Sequence, residues 1–224
     1  MKINKISIVF MFLTTLVFAQ KSEVGNWFIY FGNQKINKNW NFHNEIQYRN
    51  YNFIGDNNQL LVRTGIGYNL TENNNNILLG YGFINTKRYV SNTDEKVETN
   101  EHRIFQQFIT KQNYDRIFLQ HRYRIEERFL PNDFQIRFRY FLAVNIPITK
   151  KTMEKNALYL STFNEIFLNA VKPIFDRNRL YGAIGYVINK NIKIEAGFMT
   201  QILENSNRNQ FQIVLFNNIP FNNN

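Results

Sequence analysis

Arg122, Arg124, Glu126 and Arg128 stand at every second position of one segment, and Arg137 and Arg139 repeat the spacing in the next. A guanidinium is a permanent cation whose planar fork of N–H donors matches the edge of a carboxylate or phosphate. Period-two spacing gathers these charges on one face of a strand. A turn near Leu130-Pro131-Asn132-Asp133 that pairs Arg128 with Gln135 also pairs Glu126 with Arg137 and sets Arg124 opposite Arg139. Opposed arginines repel, so acids must reach them from other strands, and Glu45, Glu165 and Glu195 hold positions from which they could do so. Arg49, Arg63, Arg177 and Arg179 extend the cationic set. Two readings follow: a self-neutralising network that fills a narrow interior and fixes register, or a positive lumen that selects anions or holds an anionic headgroup.

Catalytic chemistry has less to build on. His43 precedes Glu45 by two positions on the same strand face, the spacing of a base and its orienting acid, but no serine stands beside them and Ser161 is many strands away. His102 and His121 fall on neighbouring segments, with His121 on the outward face, and nothing brings the three histidines together as metal ligands. No catalytic set, cofactor site or metal site is predicted, and an enzyme is the less favoured class.

The elements that carry these residues read as strands. From Phe134 to Ile146 the residues Phe134, Ile136, Phe138, Tyr140, Leu142, Val144 and Ile146 alternate with Gln135, Arg137, Arg139 and Asn145. That run exceeds the roughly 5 to 6 residues of a common soluble strand and matches the about 9 to 11 of a tilted membrane strand. The same alternation marks Trp40 to Tyr51, Gln59 to Leu70, Asn76 to Tyr89, Ile117 to Phe129, Leu158 to Ile166, Arg177 to Ile188, Ile192 to Gln201 and Gln210 to Ile219. Val24 to Phe31 is a shorter aromatic segment. Glu101 to Lys111 is ambiguous in phase, since Ile104 and Phe108 share one face while Phe105 and Ile109 share the other.

Eleven candidates conflict with the even strand number usual for bacterial barrels. Short links at 71–75, 112–115 and 189–191 alternate with longer ones at 91–100, 169–176 and 204–209, as short periplasmic turns alternate with external loops. That alternation predicts ten strands with Val24 to Phe31 as an extra piece, and twelve as the runner-up.

Alternation does not say which face is inside, because a lipocalin-like soluble barrel alternates with its apolar face inward. Strand length, and aromatics near strand ends at Trp40, Tyr48, Tyr68, Phe129, Phe134 and Tyr186, favour the apolar face outward. A barrel of this size lies between the filled eight-stranded kind and the open sixteen-stranded porins. A narrow or gated path is therefore expected rather than a wide pore.

The chain has no cysteine, which excludes disulfides, thiolate metal sites and a cysteine nucleophile. Lys2 and Lys5, the apolar stretch from Ile6 to Phe18, and Val17-Phe18-Ala19 before Gln20 have the layout of a cleavable secretory signal. Cleavage between Ala19 and Gln20 divides the chain into a signal, 1–19, and one domain, 20–224. It removes two of the 27 Lys and Arg and none of the 17 Asp and Glu, lowering the formal charge from +10 to +8. Export makes nucleic acid an unsuitable partner and leaves outer-membrane lipid and small anions.

His121-Arg122-Tyr123-Arg124-Ile125-Glu126-Glu127-Arg128-Phe129, Arg137-Phe138-Arg139-Tyr140, Asn164-Glu165-Ile166-Phe167 and Asp176-Arg177-Asn178-Arg179-Leu180-Tyr181 resemble the recurring blocks of a group of bacterial outer-membrane proteins catalogued as domain of unknown function 2490. The resemblance covers most of the chain after the signal. It implies an outer-membrane barrel with no assigned activity and no functional residues to carry over.

The expectation is thus an all-β, closed antiparallel transmembrane barrel of about ten strands in the bacterial outer membrane. Its lumen is lined by Glu45, Arg49, Arg63, Arg122, Arg124, Glu126, Arg128, Arg137, Arg139, Glu165, Arg177, Arg179 and Glu195. It would bind or pass small anions or lipid headgroups. A lipid-modifying hydrolase and a structural or interaction barrel are the alternatives.

Overall fold

Alternating side chains force each strand to present two unlike faces, and a sheet made of such strands removes both edges and one face from water by closing on itself. The computed structural model describes residues 24–71 and 74–221; the signal segment 1–19, its cleavage point and part of the 71–75 link lie outside the described residues. Eleven strands form one closed barrel: β1 (Val24–Lys35), β2 (Trp40–Asn50), β3 (Asn57–Asn69), β4 (Asn75–Tyr89), β5 (Lys96–Tyr114), β6 (Ile117–Leu130), β7 (Asp133–Pro147), β8 (Leu158–Asn169), β9 (Phe175–Val187), β10 (Ile192–Ile202) and β11 (Asn207–Asn217). Among the described residues no helix is long and apolar enough to cross a membrane.

Sequential neighbours pair antiparallel throughout, and β1 closes the barrel on β11 in parallel, with Val24 beside Asn209 and Gly32 beside Asn217. An odd number of strands running alternately up and down leaves the first and last pointing the same way, so the closing pair must be parallel. The segment expected to be an extra piece is thus a full wall strand. The count falls between the expected ten and twelve.

Orientation follows from two neighbours in β7: Phe138 is 45% exposed on the outer wall, while Arg137 and Arg139, at 3% and 6%, are buried inside. Soluble-barrel polarity is inverted here. Outward apolar side chains run round the wall, among them Ile66, Leu79, Ile125, Ile184 and Phe198. Aromatic pairs sit toward its two ends, Trp40 with Tyr68 at one and Phe129 with Phe134 at the other.

One rim, where β11 ends, carries the connections 36–39, 70–74, 115–116, 148–157 and 188–191; the opposite rim, where β1 begins, carries 51–56, 90–95, 131–132, 170–174 and 203–206. The expected contrast of short and long links between rims is not present. The longest connection, 148–157, lies on the rim assigned the short turns, and the β6–β7 link on the other rim is a two-residue turn, Pro131-Asn132.

The interior divides into two halves. On β9, β10, β11 and β1, Trp27, Ile29, Tyr181, Ala183, Met199 and Val214 form an apolar cluster with Phe31, Phe163 and Phe216 packed against it. The strands β2 to β8 turn mainly arginine, glutamate and glutamine inward, and Arg179, Glu195, Gln201, Gln210 and Gln212 add polar groups from β9 to β11. Glycine makes room for bulk within this space. A Cβ on Gly80 would enter the Phe105 ring, and one on Gly185 would enter the Tyr159 ring.

Candidate functional site

The β6–β7 ladder is in the register that the two-residue turn imposes: Arg128 faces Gln135, Glu126 faces Arg137, and Arg124 faces Arg139. Like charges directly opposite one another destabilise a sheet, and the structure answers with carboxylates from both sides. Glu126, 0% exposed, is the hub. Arg137 lies 2.5 Å from it and Arg139 bonds its other oxygen; Arg124, Arg63 and Arg103 stand at 3.5, 3.7 and 3.7 Å. Glu165 is a second hub, taking bonds of 2.6 Å from both Arg122 and Arg139, with Arg179 at 3.7 Å. Glu45 accepts from Arg63 at 2.8 Å.

Nearer the rim where β1 begins, Glu101 receives two bonds each from Arg103 and Arg128, and Asp176 bridges Arg137 at 2.9 Å and Arg177 at 3.0 Å. The Phe167 ring is packed among the guanidinium groups of Arg137, Arg139, Arg177 and Arg179, at 4.4 to 5.9 Å. Stacking on an aromatic face lets cations crowd with less mutual penalty than bare proximity would impose.

Of the residues expected in the lumen, Glu45, Arg49, Arg63, Arg124, Glu126, Arg137, Arg139, Glu165, Arg179 and Glu195 are buried and Arg122, Arg128 and Arg177 half-buried, and Glu195 stands apart from the arginines. It accepts from Tyr159 at 2.9 Å and Tyr181 at 3.4 Å in the apolar half. Sequence reasoning missed Glu101, Arg103 and Asp176. Glu101 and Arg103 share the phase of Phe105, and Phe105 points inward over Gly80 with Arg124 stacked on it at 4.5 Å. Alternation alone leaves both facing choices open, because β5 carries large apolar groups on both sides. Asp176 turns inward beside Arg177 next to a register irregularity at Phe167/Leu168, which no alternation rule foresees.

The arginine–carboxylate cluster does not fill the whole lumen. A cavity of about 520 Å³ reaches from the rim where β11 ends, past Lys35, Lys111 and Gln120, down to Arg49, Arg63, Arg124, Arg139 and Arg179. Glu126, Arg137, Arg103, Glu101, Arg128 and Asp176 are outside its lining, nearer the rim where β1 begins. Ten lysines and arginines line the cavity against three glutamates, Glu45, Glu165 and Glu195. Several of those cations have no full carboxylate partner: Arg49 donates to Gln47 and Gln59, and Nη1 of Arg124 makes no hydrogen bond. A larger depression on the outer wall, bounded by Ile66, Leu79, Ile125 and Phe138, belongs to the apolar band.

One family profile, described as protein of unknown function (DUF2490), matches residues 24–212. The chain belongs to the DUF2490 family. Searches of curated proteins and of solved structures return no match. For this DUF2490 barrel the histidines give no shared centre. His43 lines the cavity with Nε2 3.6 Å from Glu45, whereas His102 and His121 are on the outer wall, bonded to Tyr81 at 2.6 Å and Tyr140 at 2.9 Å. Ser161 lines the same cavity on β8 but is not hydrogen-bonded to a histidine among the described residues. No three metal-ligating side chains come together among the described residues.

Proposed function

We propose that this DUF2490 protein is a bacterial outer-membrane barrel, exported behind residues 1–19, whose blind lumen binds small anionic solutes or lipid headgroups. The outward apolar wall supports the membrane setting, since side chains such as Phe138 and Leu79 suit hydrocarbon and would otherwise form an exposed apolar surface far larger than the few hundred Å² a soluble monomer tolerates. The observation that carries the binding reading is the excess of ten cations over three carboxylates along one cavity. Low-dielectric walls concentrate that field on whatever enters.

Binding is favoured over passage because the arginine–carboxylate cluster stands across the lumen beyond the cavity floor. A hydrolase has less support, since His43 has an acid beside it and, among the described residues, no hydrogen-bond partner at Nε2. Membrane fractionation with heat-modifiable gel mobility tests the location. For binding, Trp27 is a built-in probe, because Arg49 stacks on its ring at 3.8 Å. In a Trp40→Phe background, titration with inorganic phosphate is expected to change Trp27 emission with saturation. An emission spectrum and calorimetric trace both unmoved by phosphate and by acetate would remove the binding reading.

A further inference from the structure

A cavity that served only inorganic anions would need no apolar wall, yet this one has a continuous one. The Arg122 guanidinium lies 4.4 Å from the Phe141 ring, Phe141 is 5.0 Å from Phe163, and Phe163 stacks on Tyr181 at 4.7 Å. Phe31 and Phe216 stack at 5.5 Å on the strands that complete that side, with Lys193 over Phe216 at 5.3 Å. All of these side chains line the same cavity. A cationic half and an aromatic half thus face one enclosed space.

We infer that the ligand is a single-chain amphipathic anion, a carboxylate or phosphate on an apolar body, held with its head at Arg122 and Arg124 and its body along Phe141, Phe163 and Phe216. This rests on the anion-binding reading and names the class of anion. Arg124 supplies a second and independent observation: its side chain is 1% exposed, its Nη1 makes no hydrogen bond, and its one ion-pair contact is at 3.5 Å to Glu126. A buried N–H donor left without an acceptor is costly, and a ligand oxygen entering the cavity would satisfy it. Size sets the limit on the body. At about 520 Å³ the cavity has room for one short chain. The volume lies within the roughly 300 to 1,000 Å³ of ordinary small-molecule sites.

The test is calorimetry on the full barrel in phosphatidylcholine nanodiscs, with empty discs subtracted, using octanoate, acetate, inorganic phosphate and octan-1-ol. Each buried methylene is worth roughly fourfold in affinity, so octanoate is expected to bind more than tenfold tighter than acetate, and octan-1-ol more weakly than octanoate. Phe163→Ala is expected to narrow the octanoate–acetate gap. Arg122→Gln is expected to weaken both anions. If that variant fails the heat-modifiability check, Lys111→Gln at the mouth, which removes a cation with no ion pair, takes its place. Equal affinity for acetate and octanoate would overturn the amphiphile and leave anion binding intact. Octan-1-ol matching octanoate would overturn it from the other side. Absence of binding by every anion would instead remove the parent reading.

Discussion

Glu126 and Arg137 face each other across the β6–β7 ladder, 2.5 Å apart and both inside the barrel, and four further arginines converge on the same carboxylate. Removing one partner of a buried ion pair leaves an uncompensated charge, at a cost of about 3 to 5 kcal/mol. Glu126→Gln is therefore expected to lower the urea midpoint of unfolding strongly. Glu127→Gln, on the outward face where Glu127 accepts from Gln106, is expected to shift it by about 1 kcal/mol or less. Equal midpoints for the two variants would mean that Glu126 is not the hub of the interior.

The cluster beyond the cavity floor is expected to block ions. In planar bilayers the native barrel should give no steady conductance. Replacing Arg103 and Arg137 together with glycine removes bulk and four bridges, two to Glu126 and one each to Glu101 and Asp176, and is expected to open a path. Its preference should be for anions, since Arg49, Arg63, Arg124 and Arg179 remain along the cavity. A native barrel that conducts like a porin would overturn the closed end.

Gly185 underlies the Tyr159 ring, and that ring cannot slide freely because its hydroxyl donates to Glu195 at 2.9 Å. Adding a methyl there forces ring or backbone to move, at about 1 to 3 kcal/mol. Gly185→Ala should be destabilising by that amount in chemical denaturation, and Gly185→Ala with Tyr159→Leu should recover part of the loss. A double variant no better than the single one would locate the strain elsewhere.

Closure by the parallel β1–β11 pair can be trapped chemically, because the chain has no cysteine of its own. Ile29 and Val214 are register partners, both buried on the inner face. Ile29→Cys with Val214→Cys is expected to form a disulfide on mild oxidation and to keep the barrel's unheated gel mobility. Ile29→Cys with Phe216→Cys, displaced by two positions in register, should form it far less completely. Equal yields would disprove the register.

At the rim where β1 begins, above the apolar band, Lys96 bonds Asp56 of the 51–56 connection and the carbonyl of Asn57 at 2.9 Å. Burial opposes its charge, but the Asp56 carboxylate outweighs that and holds the Lys96 pKa above the ordinary lysine value of 10.5. A raised folded-state pKa contributes stability that is complete below the unfolded value and is lost as pH rises through the folded one. The connection should therefore keep its proteolytic resistance at neutral pH and lose it only above about pH 10.5, and Lys96→Met should lose it at all pH values. Unchanged cleavage in that variant would show that the tether is not what holds the loop.

The parts of this molecule that could be read from sequence are those where one rule acts alone. Alternation in β7 told Phe138 from Arg139, and the two-residue turn at Pro131-Asn132 then fixed the Glu126–Arg137 pair. Reading failed where two rules competed. β5 offers Phe105 and Phe108 on opposite faces, and the choice is made by Gly80 on a neighbouring strand, whose missing side chain is the space that Phe105 takes. Glu195 looked like another partner for arginine because charge was counted without position; the apolar half surrounds it with Tyr159 and Tyr181 instead. The even-number rule misjudged β1 because it concerns families of barrels, whereas closure concerns only whether Gly25 to Gly32 can lie beside Gln210 to Asn217.

That parallel closure also separates the ends of the wall: Val24 and Asn217 leave from opposite rims. In an up-and-down barrel with an even count the two would meet, and a few residues could splice them. Here any covalent splice must run the full height of the sheet, so circular permutation by a short tether is ruled out by geometry. The same separation is useful experimentally, because in the membrane setting proposed above an epitope tag ahead of Val24 and another after Asn217 would report on different sides of the bilayer, and protease shaving of intact cells would then read the barrel's orientation.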